Sequence, residues 1–131
     1  MERGSTARLA LLWAPSAIWM GVIFGFSSLT GSELSPVAGF SPFGHLGEYA
    51  VLGVLLLFAA RRTWGTRVDA VFAVAVSSAY GVTDELHQFL TPGRTPDPAD
   101  WAADTVGAAV AVGCVILVGW LLKRRKGLSD A

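Results

Sequence analysis

The chain has 131 residues, of which 53% are hydrophobic and 15% are charged, and its formal net charge at pH 7 is zero. This composition is more apolar than that of a typical soluble domain. Because the chain carries no net positive charge, nothing in the composition points to a nucleic-acid-binding surface. The charged residues are also unevenly placed, and long uncharged runs separate them.

Four apolar segments follow one another along the chain. A helix needs about 20 mostly apolar residues to cross the hydrocarbon core of a bilayer. On this criterion we predict membrane-spanning helices over residues 9–28, 45–60, 70–89 and 101–122. The sequence therefore predicts an all-α, polytopic membrane protein, a bundle of four transmembrane helices that forms a single domain over residues 1–131.

The first segment has a second interpretation, because a basic start followed by an apolar run is also typical of a secretory signal peptide. Arg3 and Arg8 precede the run. Its length favours a membrane span, since Trp13 and Trp19 extend it towards full membrane thickness. Pro15 is compatible with a span, because membrane helices tolerate proline.

Lysine and arginine are distributed asymmetrically between the predicted connections. Of the ten such residues, only Arg94 lies in the third connection; the others precede the first span, separate the second from the third, or follow the fourth. Cytoplasmic loops of membrane proteins are enriched in these residues. We therefore predict a multi-pass protein of the plasma membrane with both termini in the cytoplasm and the first and third connections outside.

Two polar clusters interrupt the apolar pattern at the outer ends of the second and third spans. Charged side chains at membrane depth are costly, and they usually have a partner or a function. Residues three and four apart share one face of a helix, and both clusters have this spacing. The residues predicted to form an outer polar cleft are His45, Glu48, Tyr49, Asp84, Glu85, His87, Gln88, Arg94, Asp97 and Asp100.

Three roles remain open for this cleft. The polar groups can form a hydrogen-bonded network that holds the helices in register. They can bind a ligand, or they can catalyse a reaction in which His45 or His87 is the base and Glu48 or Asp84 orients it. The chain contains no nucleophile elbow, P-loop or zinc-protease spacing, so we rank binding above catalysis. No cofactor is indicated with certainty; imidazoles and carboxylates suit a divalent metal, but their spacing is not a specific metal motif.

A tight turn is predicted after the third span, because Pro92 and Gly93 occupy its centre. Arg94 follows the turn and has two interpretations. Its guanidinium can pair with Asp84 or Asp97 and fix the turn, or it can bind a phosphate or carboxylate of a ligand.

The start of the fourth helix has two candidate N-caps. Pro98 suits a first helical turn, which makes Asp97 the cap, whereas Asp100 immediately precedes the apolar run that begins at Trp101. If the helix starts at the earlier position, then Asp97, Asp100 and Asp104 repeat the spacing of the two clusters.

These residues resemble the signature of the VanZ-like membrane family, named for a teicoplanin-resistance protein. The matching pieces, in order, are Ser27-Ser28 with Gly31, His45-Leu46-Gly47-Glu48-Tyr49 with Leu52-Gly53, Asp84-Glu85-Leu86-His87-Gln88, Pro92-Gly93-Arg94, Asp97, Asp100 and Thr105-Val106-Gly107. Two departures stand out. Ser41 and Pro42 replace an Asp-Lys pair that is usual in the family, and Asp104 stands where the family tends to have asparagine.

The resemblance implies a function in the cell envelope, where some family members lower susceptibility to lipoglycopeptide antibiotics. It does not supply a mechanism. Our first hypothesis is that the cleft binds a lipid-linked envelope component or a lipoglycopeptide. The second is that the protein is an intramembrane enzyme, a hydrolase or transferase acting on such a component. Besides membrane lipids and this ligand, the expected partners include a second copy of the chain, and a transporter would require such an oligomer.

Overall fold

The computed structural model describes residues 2–30, 42–65 and 68–129, and these residues contain four α-helices and no strand. Helix α1 comprises Glu2–Ser27, α2 comprises Pro42–Trp64, α3 comprises Asp69–Gln88 and α4 comprises Pro98–Ser129. A helix lies at each predicted span, which confirms the all-α, four-helix architecture. The helices α1, α2 and α4 extend beyond the predicted limits, because hydropathy detects only the apolar part of a helix.

Three of these helices are long and apolar enough to cross a membrane, over Thr6–Ser27, Gly44–Trp64 and Pro98–Gly127. Helix α3 does not meet this criterion, since Asp69 begins it and a polar run closes it. It contacts all three of the other helices, whereas α1 contacts only α2 and α3. The helix predicted as the third span is therefore a helix packed within the bundle, whose polar ends lower its mean hydropathy.

Helices α2 and α4 make the most extensive contact in the bundle, and glycine residues allow it. A Cβ atom added at Gly53 would lie 3.0 Å from the Cα of Ala108. One added at Gly107 would overlap the backbone carbonyl oxygen of Leu46. Small residues that let two backbones approach closely are the usual means of packing membrane helices. This close approach brings the start of α2 against the first turns of α4.

The interior of the bundle is apolar, and each end carries its own set of polar contacts. Its buried core consists of Ile23, Tyr49, Leu52, Leu56, Leu57, Ala73 and Val112. At one end, Arg61 forms a salt bridge with Asp69, and the Trp13 indole donates a hydrogen bond to the Thr63 hydroxyl over 3.2 Å. We call the opposite end, where α1 and α3 terminate and α2 and α4 begin, the polar end.

Candidate functional site

Both polar clusters of the sequence lie at the polar end, one at the start of α2 and the other at the end of α3. The Ser28 hydroxyl and the His87 Nε2 atom are 3.0 Å apart, which joins the end of α1 to the end of α3. The His45 imidazole contacts Asp104, which joins the start of α2 to α4. All four helices therefore contribute polar side chains to the same end of the bundle.

A small cavity lies among the helices at the polar end. It is lined by Ile23, Phe26, Ser27, His45, Glu48, Asp84, Gln88 and Arg94. The Gln88 amide donates a hydrogen bond to Asp84 Oδ2 over 3.2 Å, so these two side chains present one face of α3 to the cavity. The volume is about 10 Å³, which is room for about one water molecule. The cavity can therefore hold a water or a single ion, but not a ligand head group.

A buried pair, His45 and Asp104, forms the centre of the polar end. His45 Nδ1 lies 3.1 Å from Asp104 Oδ1, and both side chains are almost fully buried. The other ring nitrogen, Nε2, lies 3.9 Å from Asp100 Oδ2. Helix α3 makes room for the Asp104 carboxylate at Gly81, where an added Cβ would lie 2.9 Å from Oδ2.

Asp104 was not among the residues that we predicted to form the cleft. It lies within the longest apolar segment of the chain, where a carboxylate needs a partner. Its position four residues after Asp100 places both carboxylates on one face of α4. That combination of spacing and apolar surroundings is the signal by which it could have been found.

Glu85 connects α3 to the start of α4. Its Oε2 atom accepts a hydrogen bond from the backbone N–H of Asp97 over 2.7 Å. Asp97 Oδ1 in turn accepts one from the backbone N–H of Ala99 over 2.8 Å, which confirms Asp97 as the N-cap of α4. Asp97 therefore has a structural role, and its exposed carboxylate lies outside the cavity.

Several buried polar atoms at the polar end lack a hydrogen-bond partner in the described part of the chain. They include Glu85 Oε1, Asp104 Oδ2, Tyr49 Oη and Ser27 Oγ. Tyr49 is fully buried and belongs to the core, so it does not line the cavity as a cleft residue would. Buried polar groups are almost always paired, and an unpaired one usually marks a bound water or ion or a functional group.

His87 does not line the cavity, although the predicted outer cleft included both histidines. Its ring packs against Phe24, with the ring centroids 4.4 Å apart, and its Nε2 contacts Ser28. Successive helical residues are turned by about 100° from one another. Because Gln88 and Asp84 point into the cavity, His87 is directed towards α1 instead.

Arg94 follows the predicted tight turn and lines the cavity. The backbone N–H of Arg94 donates a hydrogen bond to the backbone carbonyl of Thr91 over 3.1 Å, and Gly93 between them has a φ of 75°. With Pro92 before it, this is the pattern of a type II turn. Among the described residues, the half-buried Arg94 forms no salt bridge with a carboxylate, so the structure does not support the predicted turn-fixing pair.

An apolar groove adjoins the polar end between α3 and α4. It is lined by Val82, Glu85, Leu86, Phe89, Pro96, Asp97, Pro98 and Trp101. Its volume is about 300 Å³, and it is open on one side. Glu85 lines this groove and is also close enough to His45 to interact with it electrostatically. The groove and the buried polar groups are therefore parts of one region.

The helices and this buried polar region define a membrane protein with a polar site at one end of its bundle. The family model VanZ/LLP1 matches residues 12–119, and the chain belongs to that family. No curated protein and no solved structure is significantly similar to the chain. The matched range includes every motif that carried the resemblance. Gly31 of those motifs lies outside the described residues, as does Ser41, one of the departures from the family pattern.

Proposed function

We propose that this protein binds an amphiphile of the cell envelope at its polar end, either a lipid-linked envelope component or a lipoglycopeptide antibiotic. The observation that carries the proposal is that the apolar groove directly adjoins the buried polar groups, with Glu85 belonging to both. An amphiphile needs these two environments side by side. The VanZ/LLP1 match supports an envelope membrane protein but does not name the ligand.

The apolar groove would hold the lipid part of the ligand. Ligand sites are commonly about 300–1,000 Å³ and are lined mainly by apolar and aromatic side chains with a few polar groups. The groove is at the lower limit of this range, at about 300 Å³. It therefore suits one segment of an acyl or polyprenyl chain, and its open side allows the rest of the chain to extend into the surrounding lipid.

The head group would lie at the rim of the cavity beside Arg94, because the cavity itself is too small for it. Within the described residues the guanidinium forms no salt bridge, although it interacts electrostatically with Glu48, so it can still bind a phosphate or carboxylate. Glu48 and Asp84 line the same cavity and can accept hydrogen bonds from hydroxyl or amine groups. The geometry therefore favours the ligand-binding interpretation of Arg94.

A second candidate function is intramembrane catalysis, and the His45–Asp104 contact is the observation that favours it. A carboxylate beside one ring nitrogen fixes an imidazole in a given tautomer and supports it as a general base. However, the His45 side chain is only 8% exposed. A substrate has little access to it unless the polar end opens, which is why binding remains our first proposal.

The proposed ligand requires the polar end to face outward, and labelling tests this orientation. In a chain with Cys114 replaced by serine, cysteine at Thr95 should react with a membrane-impermeant thiol reagent in intact cells. Cysteine at Thr66, which lies outside the described residues, should react only after the cells are permeabilised. Labelling at Thr66 and not at Thr95 would reverse the orientation and contradict an outward-facing site.

Filling the groove should weaken binding of the lipid part. We expect Leu86→Trp to raise the Kd for a lipoglycopeptide or for a polyprenyl diphosphate by at least about tenfold, equivalent to about 1.4 kcal/mol. The assay is titration of the protein in lipid nanodiscs with each ligand separately, which also distinguishes the two. Val118→Trp is the matched control, because Val118 is an exposed α4 residue that does not line the groove.

Two outcomes would contradict this assignment. One is a folded parent protein that binds neither ligand. The other is an equal Kd for Leu86→Trp and Val118→Trp, which would show that the groove does not take the lipid part.

A further inference from the structure

We propose that His45, Glu85 and Asp104 form a binding site for a divalent transition-metal cation, with zinc as the best fit. The three side chains come from α2, α3 and α4 and are all buried. One ring nitrogen and one oxygen from each carboxylate lie within 4.8 Å of one another. This goes beyond the proposed ligand binding, since the metal site does not depend on any amphiphile.

Two unpartnered oxygen atoms give the first independent support. Within the described chain, Glu85 Oε1 and Asp104 Oδ2 have no hydrogen-bond partner, although Glu85 is only 8% exposed and Asp104 is fully buried. Leaving a buried acceptor unpaired is expensive, and more so for a charged group. A cation bound by these carboxylates would supply a missing partner at this cluster.

The local balance of charge gives the second support. Glu48, Asp84, Glu85, Asp100 and Asp104 all interact electrostatically with His45 or with one another. Among the described residues that line the cavity, Arg94 is the one arginine. Carboxylates in a poorly solvated region must either bind protons or have a compensating charge nearby. A divalent cation supplies that charge at the centre of the cluster.

The donor set and its geometry suit zinc. Zinc takes imidazole nitrogen and carboxylate oxygen at about 2.0–2.2 Å, and its reactive sites have three protein ligands and an open position. At those bond lengths, tetrahedral ligand atoms lie about 3.3 Å apart. His45 Nδ1 and Asp104 Oδ1 are already 3.1 Å apart, and the three donor atoms lie within 4.8 Å of one another, so a contraction of about 1.5 Å or less would complete the set. The nearby water-sized cavity leaves space for a solvent ligand.

Metal analysis tests the site. The full chain, purified in detergent with a histidine-free affinity tag, should retain close to one zinc ion per chain or recover it in equilibrium dialysis against zinc chloride. Glu85→Gln, His45→Gln and Asp104→Asn should each weaken zinc binding by at least about tenfold. The matched controls His87→Gln and Asp97→Asn make the same changes outside the ligand set and should retain the parent's affinity.

Thermal unfolding supplies a second measurement that does not depend on the variants. Because a ligand that binds the folded state stabilises it, zinc should raise the Tm of the parent chain after chelation, and magnesium should not. A folded parent that neither binds zinc nor shifts its Tm with zinc would overturn the proposal. Equal zinc affinity in Asp104→Asn and Asp97→Asn would do the same.

Discussion

Replacing Gly107 with alanine is expected to be among the most damaging single changes in this chain. The added methyl group would overlap the backbone carbonyl oxygen of Leu46, where α4 crosses α2. A rigid backbone atom cannot move aside as a flexible side chain does, so the two helices must separate. Overpacking typically costs about 1–3 kcal/mol, and we expect Gly107→Ala to reach the upper part of that range or exceed it.

The measurement is thermal unfolding of the detergent-solubilised protein, together with the yield of monodisperse protein. Gly113→Ala is the matched control on the same helix, because a Cβ atom there would have nothing within 4 Å. Alanine is the better helix former by about 1 kcal/mol, so the control should be neutral or slightly stabilising. If both variants unfolded at the parent's temperature, the close approach of α2 and α4 would be contradicted.

Replacing Asp104 with alanine is expected to destabilise the bundle by about 3–5 kcal/mol. The change removes the partner of a buried imidazole, whose Nδ1 lies 3.1 Å from Asp104 Oδ1. Breaking one side of a buried charged pair costs this much, because the remaining group stays buried without a partner. The change also leaves a void beside Gly81, which faces the carboxylate on α3.

Asp104→Asn is the informative comparison, since it preserves the shape of the side chain and a hydrogen-bond acceptor for His45. We expect its Tm to lie much closer to that of the parent than the Tm of Asp104→Ala. Thermal unfolding of the three proteins side by side measures this order. An alanine variant as stable as the parent would show that the pair does not hold α2 against α4.

The sequence was sufficient for the fold because its strongest signals are local. Apolar runs separated by charged segments predict helices and their number. The turn at Pro92 and Gly93 follows from the conformational preferences of those residues, and the structure contains it. The sequence left both Asp97 and Asp100 open as the N-cap of α4, and the structure assigns the cap to Asp97. The predicted ends of the helices were less accurate, because the backbone hydrogen bonding of a helix continues past its apolar part.

The site could be predicted only in part, because the rotation of each helix about its axis is a property of packing. Spacing within α3 placed His87 with Asp84, whereas the neighbouring helices direct His87 towards Ser28 and Phe24. Similarly, nothing local shows that Gly81 leaves room for the Asp104 carboxylate. Contacts between helices decide which polar side chains meet. The sequence therefore located the two polar clusters but did not predict the pairs that form, His45 with Asp104 and His87 with Ser28.

The most direct test of the central proposal is whether Arg94 binds the anionic part of an amphiphile at the polar end. Titration of nanodisc-embedded protein with a lipoglycopeptide or a polyprenyl diphosphate should give a Kd at least about tenfold weaker for Arg94→Ala than for the parent, because a charge-assisted hydrogen bond contributes about 1.5–3 kcal/mol. Arg62→Ala, which removes an exposed arginine from the other end of α2, should leave the Kd unchanged. Equal affinities in all three correctly folded proteins would contradict binding at the polar end.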